Sequence, residues 1–113
     1  MRIRNERDGS VVADRVEVAR SLVQRLIGLM GRRDFSGGTA LVIPSCSQVH
    51  TFFVRFPIDV VFLDAKSRIL CVESDVRPYG ITRYCKGAVS AVELPAGTAD
   101  RCGLRTGDIL AIG

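Results

Sequence analysis

The sequence predicts one α+β domain, mainly β, built as a small, partly closed antiparallel barrel or sandwich with one or two short helices. Its 113 residues suffice for one hydrophobic core and leave no length for a second domain, so the domain covers residues 1–113. Short β-prone runs recur along the chain between turn residues, as is typical of antiparallel sheets. Only one long segment, near the amino terminus, has the spacing of an amphipathic helix.

A β-hairpin is predicted at the start of the chain. Asp8-Gly9 lies between β-prone stretches at about 2–5 and 10–18. This dipeptide favours a type I′ turn, because both central residues of that turn take positive φ. The two stretches are therefore expected to pair as antiparallel strands.

The amphipathic helix is predicted over residues 21–30. Ser21 and Gln24 match a capping box, in which a hydroxyl and an amide satisfy free backbone N–H groups at the start of a helix. Gly31 can end the helix in the left-handed conformation. The apolar residues of the segment share one face, which predicts that the helix packs on a sheet: Leu22, Val23, Leu26, Ile27 and Met30.

Strands account for most of the remaining chain. Pro57 is expected to bend the chain between two central strands, and the runs at 58–64 and 68–76 are expected to form a hairpin. Residues 95–104 predict a short helical segment that closes at Gly103. The predicted strands are 39–43, 47–54, 58–64, 68–76, 88–94 and 109–113.

Charge and cysteine content indicate the class of partner and the compartment. The net charge is +4, but the sixteen basic residues are scattered along the chain, whereas nucleic-acid-binding proteins concentrate theirs on one face. Nucleic acid is therefore not expected as a partner. The polar first residues do not resemble a signal peptide, and no apolar run is long enough to span a bilayer. These features predict a cytoplasmic protein without a transmembrane segment, whose four cysteines are reduced.

Two potential metal ligands, Cys46 and His50, lie close together in the sequence. Cys46 and His50 form a Cys-x3-His pair, but the sequence has no Cys-x2-Cys motif of the kind that structural zinc sites use. On a straight strand the two side chains would lie about 13 Å apart, too far to share one ion. The sequence therefore predicts neither a metal nor a cofactor.

Polar residues in and near the central stretch predict a binding site. His50 is the single histidine, and no other side chain has an ordinary pKa near neutrality. Asp59 and Glu93 lie in apolar runs, where a buried carboxylate must be paired, hydrogen-bonded or protonated. Polar groups beside an apolar wall are the usual composition of a ligand pocket. The predicted binding residues are His50, Thr51, Arg55, Asp59 and Glu93.

Two functions follow from these residues. The first is a non-catalytic accessory module that binds a small ligand or a protein segment near His50. The second is a small hydrolase or transferase, in which His50 acts as base together with Asp59 or a cysteine. Neither a Gly-x-Ser-x-Gly elbow nor a family cysteine signature selects the enzyme, so the sequence leaves open whether there is catalysis.

Several short motifs follow one another from about residue 10 to the carboxyl end. They are Arg25-x-x-Gly28-Leu29-Met30, His50-Thr51, Phe56-Pro57-Ile58-Asp59-x-x-Phe62-Leu63-Asp64, Val76-x-Pro78, Glu93-Leu94-x-x-Gly97 and Gly103-x-x-x-Gly107-Asp108. In order and spacing they resemble the bacterial and archaeal family called domain of unknown function 192 (DUF 192). Val54 stands where this pattern has methionine, and Ala65-Lys66-Ser67 replaces its glycine-containing turn.

The resemblance implies a compact, mainly β fold with short helices and no established activity. Some members of the family carry export signals, and some lie near pilus or secretion genes. The resemblance therefore adds a third function, that of a structural partner in an envelope, pilus or secretion assembly. Such a partner needs an exposed apolar patch or a free strand edge.

Overall fold

The strands form two sheets, and the computed structural model describes all of residues 1–113. In chain order the elements are β1 (Ile3–Asn5), β2 (Val11–Ala13), β3 (Arg15–Val18), α1 (Leu22–Ile27), β4 (Thr39–Pro44), β5 (Ile58–Leu63), β6 (Ile69–Val76), β7 (Ser90–Pro95), α2 (Thr98–Arg101) and β8 (Leu110–Ile112). The three-stranded sheet has the order β2-β1-β8, and the five-stranded sheet has the order β3-β4-β7-β5-β6. The sheets do not close into a barrel, and the predicted mainly β fold with two short helices is confirmed.

The five-stranded sheet separates two hydrophobic clusters. All six residues of β5 are buried, because β7 and β6 flank the strand and both of its faces are covered. Successive side chains of a strand point to opposite faces. Val61 and Val92 therefore join the cluster that faces the small sheet and α2, whereas Val60 and Ala91 join the cluster on the other side.

The second cluster is covered by a layer with little regular structure. It consists of residues 20–33, 45–57 and 77–86, and we call it the loop layer. Backbone hydrogen bonds tie its parts together: the Gly31 N–H donates to the Phe53 carbonyl at 3.0 Å, and the Thr51 N–H donates to the Gly80 carbonyl at 2.9 Å.

The predicted strand at 47–54 is wrong. Only His50 pairs there, through a single bridge to Ile81. Ser45 and Phe53 take positive φ, at 55° and 62°, which ends an extended conformation on both sides. Pro57 thus leads from a loop into β5 and does not join two strands.

The amino-terminal region departs from prediction in two ways. The hairpin is confirmed, but its turn is not type I′: Gly9 has positive φ and Asp8 does not, and the loop is closed by a bond from the Gly9 N–H to the Asn5 carbonyl. The single strand expected at 10–18 is divided between the two sheets at Asp14. Its second half, β3, pairs in parallel with β4, since α1 forms a crossover between them.

Helix α1 has the predicted cap but not the predicted packing. The Ser21–Gln24 capping box is present, and the helix ends at Gly28 instead of Gly31. No residue of α1 is buried, so its apolar face is exposed, and the following Leu29 is the side chain that enters the core at 1% exposure. The spacing of the apolar residues identified this face of the helix correctly, but it could not show that the face is left exposed. Neither helix has the length and apolar character needed to span a bilayer.

The expectation of four reduced cysteines is wrong. Cys71 on β6 and Cys85 in the loop layer form a disulfide, with Cα atoms 6.4 Å apart. Cys46 and Cys102 are free. The pairing was hidden from the sequence, because it joins an edge strand to a loop with a separation of 14 residues.

Candidate functional site

A buried carboxyl group lies at the centre of the five-stranded sheet. Glu93 on β7 is paired with Leu41 of β4 on one side and Val60 of β5 on the other, and its side chain points toward the loop layer. The residue is 3% exposed, and its Oε1 atom is fully buried and accepts no hydrogen bond. Burial raises the pKa of Glu93 to about 7, against a smaller opposing effect of Arg32.

Above this carboxyl group lies a small cavity of about 60 Å³, between α1 and residues 46–54 of the loop layer. Its volume corresponds to about two water molecules. Apolar side chains of Leu29, Ile43, Val49 and Val54 form much of its wall. The polar and ionisable residues that line it are Arg25, Cys46, Gln48, His50 and Glu93.

Gly28 lines the cavity next to Glu93. A Cβ atom at this position would lie 3.7 Å from Glu93 Oε1, in contact with the carboxyl group. Gly28 also has φ 53° and ψ −122°, a conformation that residues with a side chain rarely adopt. Glycine is therefore favoured by the backbone turn that ends α1, whereas a Cβ atom would make only an ordinary van der Waals contact with Glu93.

Cys46 and His50 line the same cavity, although a straight strand would have held them far apart. Residues 46–49 form no strand, and the Cys46 thiol donates to the Gln48 carbonyl at 3.3 Å. Burial raises the pKa of the Cys46 thiol, and the nearby Glu93 raises it further. The thiol is therefore protonated at neutral pH. No three His, Cys, Asp or Glu side chains are arranged to hold a metal ion.

His50 lies at the exposed edge of the cavity. Its Nδ1 accepts a hydrogen bond from the Phe52 N–H at 3.3 Å, which assigns the ring proton of the neutral imidazole to Nε2. The ring also stacks on Phe52, with centroids 5.2 Å apart. The Nε2 atom is thus the polar group that His50 can offer to a ligand.

Thr51 and Arg55 occupy other places. Thr51 is fully buried, accepts from the Gly80 N–H at 2.7 Å and donates to the Arg77 carbonyl at 2.6 Å, so it holds two parts of the loop layer together. Arg55 is exposed and lies in a separate open recess beside Tyr79. Neither residue lines the cavity above Glu93.

Asp59 lies on the opposite face of the sheet from Glu93. It accepts hydrogen bonds from the backbone N–H groups of Asp75, Gly97 and Ala99, at 2.9, 3.1 and 2.9 Å. Two of these donors belong to the start of α2, so Asp59 caps that helix from a neighbouring strand. Asp59 therefore accepts three hydrogen bonds, whereas the buried Oε1 atom of Glu93 accepts none.

The structure thus brings together two of the five predicted binding residues, His50 and Glu93. Sequence reasoning did not assign Arg25, Gly28 or Gln48 to the site. Their only signal was the position of Arg25 and Gly28 in the first motif of the chain. A larger open cleft of about 500 Å³ lies beside α2 and is lined by Arg7, Arg101 and Arg105, of which Arg7 pairs with Asp108 at 2.9 Å.

Comparison with models of protein families shows which family the chain belongs to. The DUF192 family model, described as "Uncharacterized ACR", matches residues 3–112. The chain belongs to the DUF192 family. Within this DUF192 chain, Arg25, Gly28, His50 and Glu93 all come from the motifs that carry the resemblance, and all four line the cavity.

Similar proteins extend this relationship without giving an activity. The DUF192 chain is 29% identical over 108 residues to a UPF0127 protein of Thermococcus sibiricus, covering 92% of this chain and 70% of that protein. A crystal structure of a protein of unknown function from Novosphingobium aromaticivorans has a TM-score of 0.86 and 20% identity, covering 99% of this chain and 84% of the other. A suggested transcription regulator from Sinorhizobium meliloti also has a TM-score of 0.86, with 25% identity, covering 97% and 91% of the two chains.

Proposed function

We propose that this DUF192 protein is a non-catalytic binding module whose cavity receives a small ligand, or the end of a protein segment, that donates a hydrogen bond to Glu93. The observation that carries the proposal is the buried Oε1 atom without a partner. A buried acceptor that makes no hydrogen bond costs about 1–3 kcal/mol. A ligand that supplies the missing donor recovers this free energy on binding.

The chemistry of the cavity narrows the class of ligand. An ammonium group fits best, because it donates hydrogen bonds and its charge also favours the ionised form of Glu93. The apolar wall suits a short aliphatic arm attached to that group. His50 and Arg25 at the cavity can contact a second polar group of the same ligand.

Methylammonium is a probe small enough to test the cavity. We expect its addition at about pH 8 to shift the NMR signals of Gly28, Cys46 and Glu93, because Glu93 is then largely ionised. Glu93→Gln should abolish these shifts. Asp100→Asn, which neutralises an exposed carboxylate on α2, should leave them unchanged. Equal shifts in the wild type and Glu93→Gln would contradict the proposal.

The enzyme alternative, a hydrolase or transferase using His50 with Asp59 or a cysteine, is supported by the shared cavity of Cys46 and His50. Two observations weigh against it. Burial raises the pKa of the Cys46 thiol, whereas a catalytic thiol has a lowered pKa. Asp59 is on the other face of the sheet, where its oxygens bind three backbone N–H groups.

Alkylation distinguishes these two functions. We expect iodoacetamide to modify Cys46 of the folded protein at neutral pH more slowly than it modifies an unfolded control peptide with the same residues 44–49, because the thiolate is the reactive form and burial disfavours it. Modification of Cys46 faster than of the peptide would favour the enzyme.

The exposed side chains, the helix lengths and the disulfide bear on other partners and on the compartment. A structural role in an envelope, pilus or secretion assembly is supported by the exposed apolar side chains of α1. Helices α1 and α2, with six and four residues, are too short to read a major groove, so nothing supports a helix-based site for duplex DNA and nucleic acid is not proposed. The disulfide weighs against the predicted cytoplasmic location, since disulfides persist mainly in oxidising compartments. Trapping of free thiols in native cells tests the location: four indicate the cytoplasm, and two an oxidising compartment.

A further inference from the structure

Exposed apolar side chains are concentrated on the loop layer. It carries nine of the twelve large hydrophobic residues that are exposed in the molecule. Phe53 and Tyr79 are 61% and 65% exposed, and both have positive φ, which is unfavourable for bulky residues. The nine residues are Leu22, Val23, Leu26, Ile27, Phe52, Phe53, Tyr79, Ile81 and Tyr84.

Positive charge is concentrated on the same layer. It contains eight of the sixteen basic residues and none of the twelve acidic ones, so its formal charge is +8 and that of the remaining chain is −4. Only Arg32 and Arg77 form salt bridges, with Glu17 and Asp75 outside the layer. Within the loop layer, the basic residues without a salt bridge are Arg20, Arg25, Arg33, Arg55, Arg83 and Lys86. The scattered arginines of the sequence are thus sorted by the fold.

We propose that the loop layer docks on the surface of an anionic lipid bilayer. The apolar side chains would enter the headgroup region, and the basic side chains would contact lipid phosphates, which is the combination that peripheral membrane proteins use. Arginine side chains suit this position, because their apolar stems can lie along the interface while the guanidinium groups reach the phosphates. This proposal does not depend on a ligand at Glu93.

Charge and shape favour a bilayer over other occupants. A second copy of the chain, packed through the same face, would bring together two surfaces that each carry six basic residues without a salt bridge. Nucleic acid would match the charge and could stack on the aromatic rings, but it would leave the four exposed aliphatic side chains of α1 in water. An anionic bilayer accommodates aliphatic, aromatic and cationic groups together.

Vesicle sedimentation tests the proposal. We expect the full chain to bind vesicles of phosphatidylcholine mixed with phosphatidylglycerol, to release them at high salt, and not to bind phosphatidylcholine alone. Replacing Arg20, Arg55 and Arg83 by Gln should weaken binding to the mixed vesicles roughly a hundredfold, because each basic residue near an anionic surface contributes several-fold. The matched control replaces Arg2, Arg4 and Arg101, which are exposed outside the layer, and should retain most of the binding.

A second pair of variants tests the apolar contribution independently. Leu22→Ser with Tyr84→Ser should weaken binding roughly tenfold, whereas Val11→Ser, an exposed site outside the layer, should not. All these side chains are exposed, so thermal melting of each variant should match the wild type. The proposal is overturned if mixed vesicles are not bound at low salt, if both arginine triples weaken binding equally, if the protein self-associates through the loop layer, or if it binds a single-stranded oligonucleotide in preference to vesicles.

Discussion

Glu93 allows the clearest test at the scale of a single residue, because its buried environment disfavours the ionised carboxylate. The carboxyl group is protonated in both the folded and the unfolded chain below about pH 4.5, and only the folded chain keeps the proton up to about pH 7. The stability of the wild type should therefore fall as the pH rises from 4.5 to 7. Each unit of difference in pKa corresponds to about 1.4 kcal/mol, so the total loss is about 3 kcal/mol.

Glu93→Gln should remove this dependence. Glutamine keeps the shape of the side chain but carries no charge, so the variant should be more stable than the wild type by about 2–3 kcal/mol at about pH 8 and similar to it at about pH 5. Urea denaturation at the two pH values measures both differences. Asp108 does not interfere, because its bond from Arg7 lowers its pKa to about 2, and that stabilisation is lost only as the pH falls from 3.8 toward 2. A variant equally destabilised at both pH values would contradict this account of Glu93.

At the scale of elements, Asp59 joins β5 to the start of α2. Asp59→Asn keeps the size of the side chain, but an amide group replaces one of the two acceptors of the bonds from Asp75, Gly97 and Ala99. We expect a loss of about 3 kcal/mol in the free energy of unfolding, because hydrogen bonds to a charged group contribute about 1.5–3 kcal/mol each. Urea denaturation measures it. The response to methylammonium should be unchanged, and a neutral effect on stability would show that Asp59 is not the cap of α2.

The disulfide links β6 to the loop layer. Closing a loop of this length lowers the entropy of the unfolded chain, so reduction of Cys71–Cys85 should destabilise the protein by about 3 kcal/mol. Urea denaturation with and without a reducing agent measures the change. The double variant Cys71→Ala and Cys85→Ala serves as the control and should not respond to the reducing agent. Identical transitions of the wild type under both conditions would contradict a stabilising role.

At the scale of the whole molecule, most strands could be predicted from the sequence, but the faces on which the carboxylates lie could not. Alternation and turn residues were sufficient for the strands β4 to β8 and for the fold class, because those signals are local. The face on which each carboxylate lies was not local: the pairing of β5 with β7 sets Asp59 opposite Leu94 and Val60 opposite Glu93, which sends the two carboxylates to opposite sides. The loop at 46–54 was also hidden, since Ser45 and Phe53 give no sequence signal for positive φ.

The distribution of the ionisable groups over the molecule follows from this pairing. Glu93 and His50 lie on the loop-layer side with the exposed apolar and basic side chains, whereas Asp59 and Asp108 lie elsewhere and have hydrogen-bond partners. The predicted convergence of polar groups is therefore partial, and it depends on the cavity beside α1. One face of the sheet is left with an unpaired carboxyl group, and the other face with structural carboxylates.

The most direct measurement is a carbon-13 NMR titration of the Glu93 side-chain carboxyl group, with and without methylammonium. We expect a midpoint near pH 7 in the free protein, because the group is buried without a partner, and a lower midpoint when methylammonium is bound, because a cation favours the ionised form. A midpoint near 4.5 that methylammonium does not move would show that Glu93 is solvated or already paired, and would contradict the proposed site.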